Sequence, residues 1–260
     1  MSWFEVVGYI KYLSKRKGRH GTHSPFVYEL IEQVLDNKRQ FYDFEVIEDI
    51  RDELLDDASV LEVTDFGAGS RKMKGPLRKK SSIARYSTKP SNQAQTLFRL
   101  VNWLQPKTIL ELGTSLGLTT LYLHKATPSA NCITLEGCPE TANEASKLFE
   151  RLSAKIDLRV GPFEQTLPTA LADLGNIDLA FIDGDHRGEA TLKYFEQIYP
   201  SCSSKSCLVF DDIHWSPDMQ DAWEKLVADE RVFLSIDLFY FGLVFFDSER
   251  KKEHFVLKGM

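Results

Sequence analysis

Thr108–Tyr122 reads TILELGTSLGLTTLY, and this stretch decides the fold. Apolar residues run into Glu111-Leu112-Gly113, three residues separate Gly113 from Gly117, and a segment with helical spacing follows. The pattern is that of a buried strand, a glycine turn and a helix start. Glycine lacks a Cβ and tolerates positive φ, so such a turn lets a ligand approach the main chain. The helix start behind it favours negative charge. The order is Glu-x-Gly-x-x-x-Gly, whereas dinucleotide sites carry Gly-x-Gly-x-x-Gly. The difference points to S-adenosylmethionine (SAM) rather than NAD.

Working outward, strand and helix patterns alternate from Ser91 to the C-terminus. Strands are predicted at Thr108–Leu112, Cys132–Leu135, Asp157–Val160, Leu179–Ile182, Cys207–Phe210, Val232–Leu238 and Leu243–Phe246. Helices fall near Ser91–Leu104, Leu116–Lys125, Pro139–Leu152, Gly188–Tyr199 and Pro217–Asp229. Continuous apolar strands separated by helices indicate a doubly wound, mostly parallel sheet covered on both faces. The last two strands are joined by a turn too short for a helix, so that pair is antiparallel. The expectation is a Rossmann-like α/β domain, residues 83–260, with a seven-stranded sheet and one antiparallel strand near the C-terminus.

Residues 1–82 read differently. Trp3, Val6, Val7, Ile10 and Leu13 recur at helical spacing; Ser24-Pro25 is a helix start, and a further helix covers Phe44–Leu55. This helical extension is expected to form a lid or a dimer surface. Asp65-Phe66-Gly67-Ala68-Gly69-Ser70 reads as a loop joining it to the main domain; a second reading is an anion-binding turn with basic neighbours.

Composition narrows the function. The chain has 260 residues, 43% hydrophobic and 27% charged, which is enough for a real core. A net charge of −6 argues against a general nucleic-acid binder. Four cysteines without a C-x-x-C pair read as reduced thiols of a cytoplasmic protein. No secretion signal or membrane-spanning run is visible, so stable membrane insertion is not expected.

In sheets of this class ligands bind beyond the carboxyl ends of the strands. The first strand ends in Glu111, Gly113, Thr114, Ser115 and Gly117. The second ends in Glu136, 25 positions after Glu111, where a carboxylate can accept from two ribose hydroxyls. The third leads to Phe163, placed to border an adenine ring or simply to pack. The fourth ends in Asp183-Gly184-Asp185-His186 and the fifth in Asp211-Asp212-Ile213-His214. Carboxylates gathered at one mouth repel unless a cation neutralises them, and hard oxygen donors suit Mg²⁺, Ca²⁺ or Mn²⁺ rather than zinc. The other reading is that these acids cap helices or meet cofactor and substrate without a metal. Either His186 or His214 is placed to act as general base.

The segments ILELGTSLGLTTLYL, ITLEG, RVGPFEQTLP, IDLAFIDGDH and LVFDDIHW occur in one order over roughly two thirds of the chain. In this the chain resembles class I SAM-dependent methyltransferases, and most of all the branch of catechol-type and macrocin-type O-methyltransferases. The resemblance implies that Glu111, Gly113 and Thr114 approach the methionine part of SAM, that Glu136 holds the ribose, and that Asp183 sits beside the methyl centre. It also implies that Asp183, Asp211 and Asp212 hold a divalent ion such as Mg²⁺ in metal-dependent members. The acceptor implied is a small-molecule hydroxyl. Two other classes compete: a SAM-binding protein without turnover and an NAD-dependent oxidoreductase.

Overall fold

The computed structural model describes residues 2–67, 69 and 72–259, so Ala68, Ser70 and Arg71 of the expected loop lie outside the described residues. The chain opens with α1 (Trp3–Lys15), capped by Ser2, whose hydroxyl accepts from the Glu5 N–H while the Glu5 carboxylate accepts from the Ser2 N–H. α2 (Pro25–Leu30) starts at Ser24-Pro25 as the sequence indicates and widens into a π-helical turn to Leu35. α3 (Tyr42–Asp56) follows. Two short strands, β1 (Val60–Glu62) and β2 (Leu77–Lys79), pair antiparallel within this otherwise helical region. Three residues each is too short for an alternation to register in the sequence. α4 (Lys80–Tyr86) and α5 (Ser91–Leu104) lead into the main domain.

There the order is β3 (Thr108–Leu112), α6 (Leu118–Ala126), β4 (Asn131–Glu136), α7 (Pro139–Arg151), β5 (Ile156–Val160), α8 (Phe163–Leu174), β6 (Ile177–Ile182), α9 (Gly188–Ile198), β7 (Cys202–Asp211), α10 (Pro217–Ala228), β8 (Leu234–Asp237), β9 (Phe241–Phe245) and β10 (Glu253–Val256). The large sheet runs β10-β8-β9-β7-β6-β3-β4-β5. Its neighbours pair parallel except on the two sides of β9, which alone runs against the rest. The antiparallel C-terminal pair is therefore as expected, and the sheet gains an eighth, edge strand, β10. Its two charged or polar residues, Glu253 and His254, broke the apolar pattern that marks the buried strands. α8 was also hidden, because Pro168 sits inside it.

Side chains alternate across β3. Ile109 joins one core cluster with Phe181 and Val209; Leu110 and Leu112 join another, on the opposite face, with Ile182 and Phe210. α5 and α6 cover the first face together with α2 and α3, whose Val27, Leu30, Phe44 and Ile47 enter the same cluster. Phe44 meets Phe98 edge to face at 4.9 Å. Each such side chain removed from water is worth ~1.5–3 kcal/mol. Glu48 of α3 accepts from the Tyr122 hydroxyl of α6 at 2.6 Å, tying the N-terminal helices to the sheet cover. Among the described residues no helix is long and apolar enough to cross a membrane.

The chain enters β4 on one side of β3 and reaches β6 on the other. The carboxyl ends of β3, β4 and β6 therefore flank a crevice at the point where the strand order reverses, the position where open α/β sheets bind ligands.

Candidate active site

A cavity of about 1100 Å³ opens at that crevice. Its walls include Gly113 and Ser115 after β3, Glu136 and Gly137 at the end of β4, Phe163 at the start of α8, Asp183 and His186 after β6, and Asp212 after β7. Among the described residues, four of the seven non-glycine residues with positive φ lie on this wall: Ser115 (50°), Asp185 (75°), His186 (50°) and Asp212 (52°). Conformations of this kind cost of order 1–3 kcal/mol and gather where function demands them.

The glycine turn works through close packing. Gly113 has φ 105°, and a Cβ there would meet the Asp183 carbonyl oxygen at 2.4 Å. The turn after β3 and the turn after β6 are thus pressed together. Gly117, with φ 83°, faces the Phe149 ring rather than the cavity. Glu136 is fixed by main-chain donors: the Ser115 N–H at 2.7 Å and the Cys138 N–H at 2.9 Å. The carboxylate lies on the cavity wall, where it can accept from a ligand. Burial raises the pKa of its carboxyl, and these donors act against that rise.

Three residues singled out in the sequence turn away from the cavity. Glu111 is fully buried inside the sheet cover. It accepts from the hydroxyls of Thr120 and Thr134, the latter at 2.6 Å. Thr114 is also buried; its hydroxyl lies 2.6 Å from that of Thr134, whose proton is committed to Glu111, so Thr114 donates. Burial pushes the Glu111 carboxyl up to about 7. His214 points to the other side of the turn, with Nε2 2.8 Å from Asp237 Oδ2 and its ring stacked on Phe239. His186 alone of the two histidines lines the cavity, 3.7 Å from Asp183 Oδ1.

The acid mouth contains a residue that the motifs did not reveal. Lys89, between α4 and α5, extends its ammonium to 3.0 Å from Asp183 Oδ1 and also pairs with Asp211 Oδ2. Burial works against its charge, but the carboxylates of Asp183, Asp211 and Asp212 outweigh burial and raise its pKa. Burial and the Asp211 charge push the Asp183 carboxyl up in turn. Asp185 leaves the group: it pairs with Arg187 at 2.7 Å and accepts from Tyr194. The donor atoms alone would suit a hard cation, since Asp183, His186 and Asp211 offer ligand atoms within 4.8 Å of one another. With the Lys89 ammonium between Asp183 and Asp211, however, these residues as arranged do not fit a divalent ion.

The loop after β1 joins the wall. A Cβ on Gly137 would meet the Phe66 ring at 2.6 Å, and one on Gly67 would meet the Asp185 main chain at 2.4 Å. Asp65 is held by a two-pronged ion pair with Arg78. α1 reaches the opposite rim, where Ser2 and Glu5 line the cavity.

Residues 110–213, from β3 to the turn after β7, match the methyltransferase domain family described as Methyltransf_24. The chain is 37% identical over 98 residues to a catechol O-methyltransferase of Niastella koreensis, covering 36% of this chain and 44% of that protein. It is 30% identical over 126 residues to a catechol O-methyltransferase of Mycobacterium tuberculosis, covering 47% and 56%. The chain thus spans about half the length of these curated relatives. Among solved structures, the O-methyltransferase TomG of Streptomyces achromogenes, in complex with SAM, superposes with a TM-score of 0.53 at 21% identity, over 61% of this chain and 81% of that one. Residues 110–213 thus match a methyltransferase domain family, and the chain shares its fold with a SAM-bound O-methyltransferase. The curated proteins to which it is similar include catechol O-methyltransferases.

Proposed function

We propose that the protein transfers a methyl group from SAM to a hydroxyl of a small-molecule acceptor. The observation that carries this reading is the cavity at the strand-order reversal, which joins an anchored Glu136 on one wall to Asp183 and His186 on the other. Gly113, Ser115 and Glu136 would hold the cofactor, with Glu136 offering its carboxylate to the ribose diol and Phe163 bordering the adenine. The bound cofactor supplies a methyl group on a sulfonium, and the protein supplies alignment. Alignment of this kind accounts for ~7–11 kcal/mol of a barrier. His186 is the base placed to take the acceptor proton, a role worth ~10²–10⁴-fold in rate.

The acceptor side supports a small molecule rather than nucleic acid. The chain carries net charge −6, and the mouth is lined by carboxylates that would repel phosphates. Residues 1–82, with Phe66 and Glu5 on the cavity rim, serve in this reading as a lid to the domain of residues 83–260. The same extension leaves Trp3 and Ile10 exposed on α1, which supports its use as a homodimer surface. The four unpaired cysteines fit a reducing, cytoplasmic setting.

Incubation with SAM and a panel of catechols, phenols and sugars, read as release of S-adenosylhomocysteine, tests the proposal. Acceptor-dependent release is the expected result. Binding of SAM with no release for any hydroxyl acceptor would favour a SAM-binding protein without turnover.

A further inference from the structure

We propose that Lys89 is the resident cation of the acid mouth, so that its ammonium stands where a divalent metal ion would otherwise bind. The inference concerns how the proposed methyl-transfer site is charged, and rests on that reading only for its catalytic consequence. Three observations support it.

The first is contact. Nζ of Lys89 bridges Asp183 and Asp211 across 122 positions of sequence, and the side chains of all three are 12% exposed or less. A surface lysine spends its ammonium on water; this one is committed to two inward carboxylates. The second is how the lysine is held. Pro90 follows it, which biases Lys89 toward an extended backbone. Thr88 before it and Ser91 after the proline are both fastened to α3: the Thr88 hydroxyl accepts from Arg51 Nη1 at 3.0 Å, and the Ser91 hydroxyl donates to Glu48. Glu48 and Arg51 also pair with each other, at 3.0 Å. The chain on both sides of Lys89 is therefore fastened to the helix cover by a polar group separate from the acids that its ammonium reaches.

The third is stoichiometry of donors. An ammonium has three N–H bonds. Asp183 and Asp211 take two, and Lys89 lies on the cavity wall. The remaining N–H is the one available to the oxygen of a hydroxyl acceptor. This makes Lys89 a fixed positive group for the acceptor oxygen, with no proton transfer required of it.

Removing the ammonium leaves two inward carboxylates facing each other without a counter-charge, an arrangement that a divalent cation relieves. Lys89→Ala should therefore acquire a metal site that the native protein lacks. Titration of the full-length protein with Mn²⁺, followed by the electron paramagnetic resonance signal of the free ion, reads this directly and needs neither cofactor nor acceptor. The expected result is no uptake by the native protein or by Lys89→Arg, about one equivalent by Lys89→Ala, and loss of that uptake in Lys89→Ala with Asp211→Asn. Uptake of one equivalent by the native protein, abolished by Asp183→Asn, would overturn the proposal, as would a folded Lys89→Ala protein that binds none. Should Lys89→Ala fail to fold, the native protein and Lys89→Arg still decide the matter. A parallel titration with S-adenosylhomocysteine separates the two readings: its failure would remove the methyltransferase function and leave the Mn²⁺ result standing.

Discussion

Replacing Glu111 by Gln should make the protein more stable at alkaline pH and nearly unchanged at acid pH. Glu111 lies wholly inside the sheet cover, and one of its oxygens, Oε1, has no hydrogen-bond partner among the described residues. Burial raises its pKa from 4.5 to about 7; the hydroxyls of Thr120 and Thr134 oppose that rise and the charge of Glu136 adds to it. The folded-state value lies above the unfolded one. Its contribution to stability is therefore fully present below about pH 4.5 and is lost as pH rises through about 7. Linkage between these two values gives a cost of roughly 1 kcal/mol at pH 5 and roughly 3 kcal/mol at pH 8. Gln keeps an acceptor for the two threonines and carries no charge to bury. Urea denaturation of both proteins at the two pH values isolates the effect, because every other titrating group is common to them. The gain of Glu111→Gln over the native protein should grow by about 2–3 kcal/mol from pH 5 to pH 8. A gain independent of pH, or one that shrinks toward pH 8, would refute the reasoning.

Other substitutions separate the walls of the cavity. Glu136→Ala removes an acceptor already oriented by two main-chain donors, and two charge-assisted hydrogen bonds to a ribose are worth ~1.5–3 kcal/mol each. Calorimetry should show at least ~10²-fold weaker S-adenosylhomocysteine binding, unless the carboxylate is not a ribose ligand. Gly113→Ala puts a methyl group 2.4 Å from the Asp183 carbonyl at φ 105°, so thermal melting should fall markedly; an unchanged midpoint would mean that the two turns are free to part. His186→Ala should lower turnover ~10²–10⁴-fold with little change in melting, whereas His214→Ala should act mainly on stability, since it breaks the contact with Asp237. Equal losses of turnover from both would contradict the assignment.

The parallel order of the sheet was readable because its strands are short apolar runs ending in Gly, Asp or Glu, and such runs occur only where both faces are covered. β10 escaped because it is an edge strand, and α8 because a proline interrupts its pattern. The site was legible in part. Strand ends point to Glu136, Asp183 and His186 because the fold class itself dictates where the ligand lies. The pattern could not tell that Glu111 faces the helix cover while Gly113, two positions on, faces the cavity, since that depends on where the strand ends and the turn begins. Nor could it separate His186 from His214, which follow their acids at similar spacing and diverge only in the turns after β6 and β7. Lys89 carried no local signal at all: its partners are brought to it by the helix cover, and a Lys-Pro pair before a helix otherwise reads as a boundary.

In the proposed function the tips of β3 and β4 hold the sulfonium cofactor. Calorimetric titration of the native protein with S-adenosylhomocysteine, with NAD run beside it, tests this most directly. Saturable one-to-one binding of the first and none of the second is expected. Absence of heat and of displacement by SAM, or preferential binding of NAD, would contradict it.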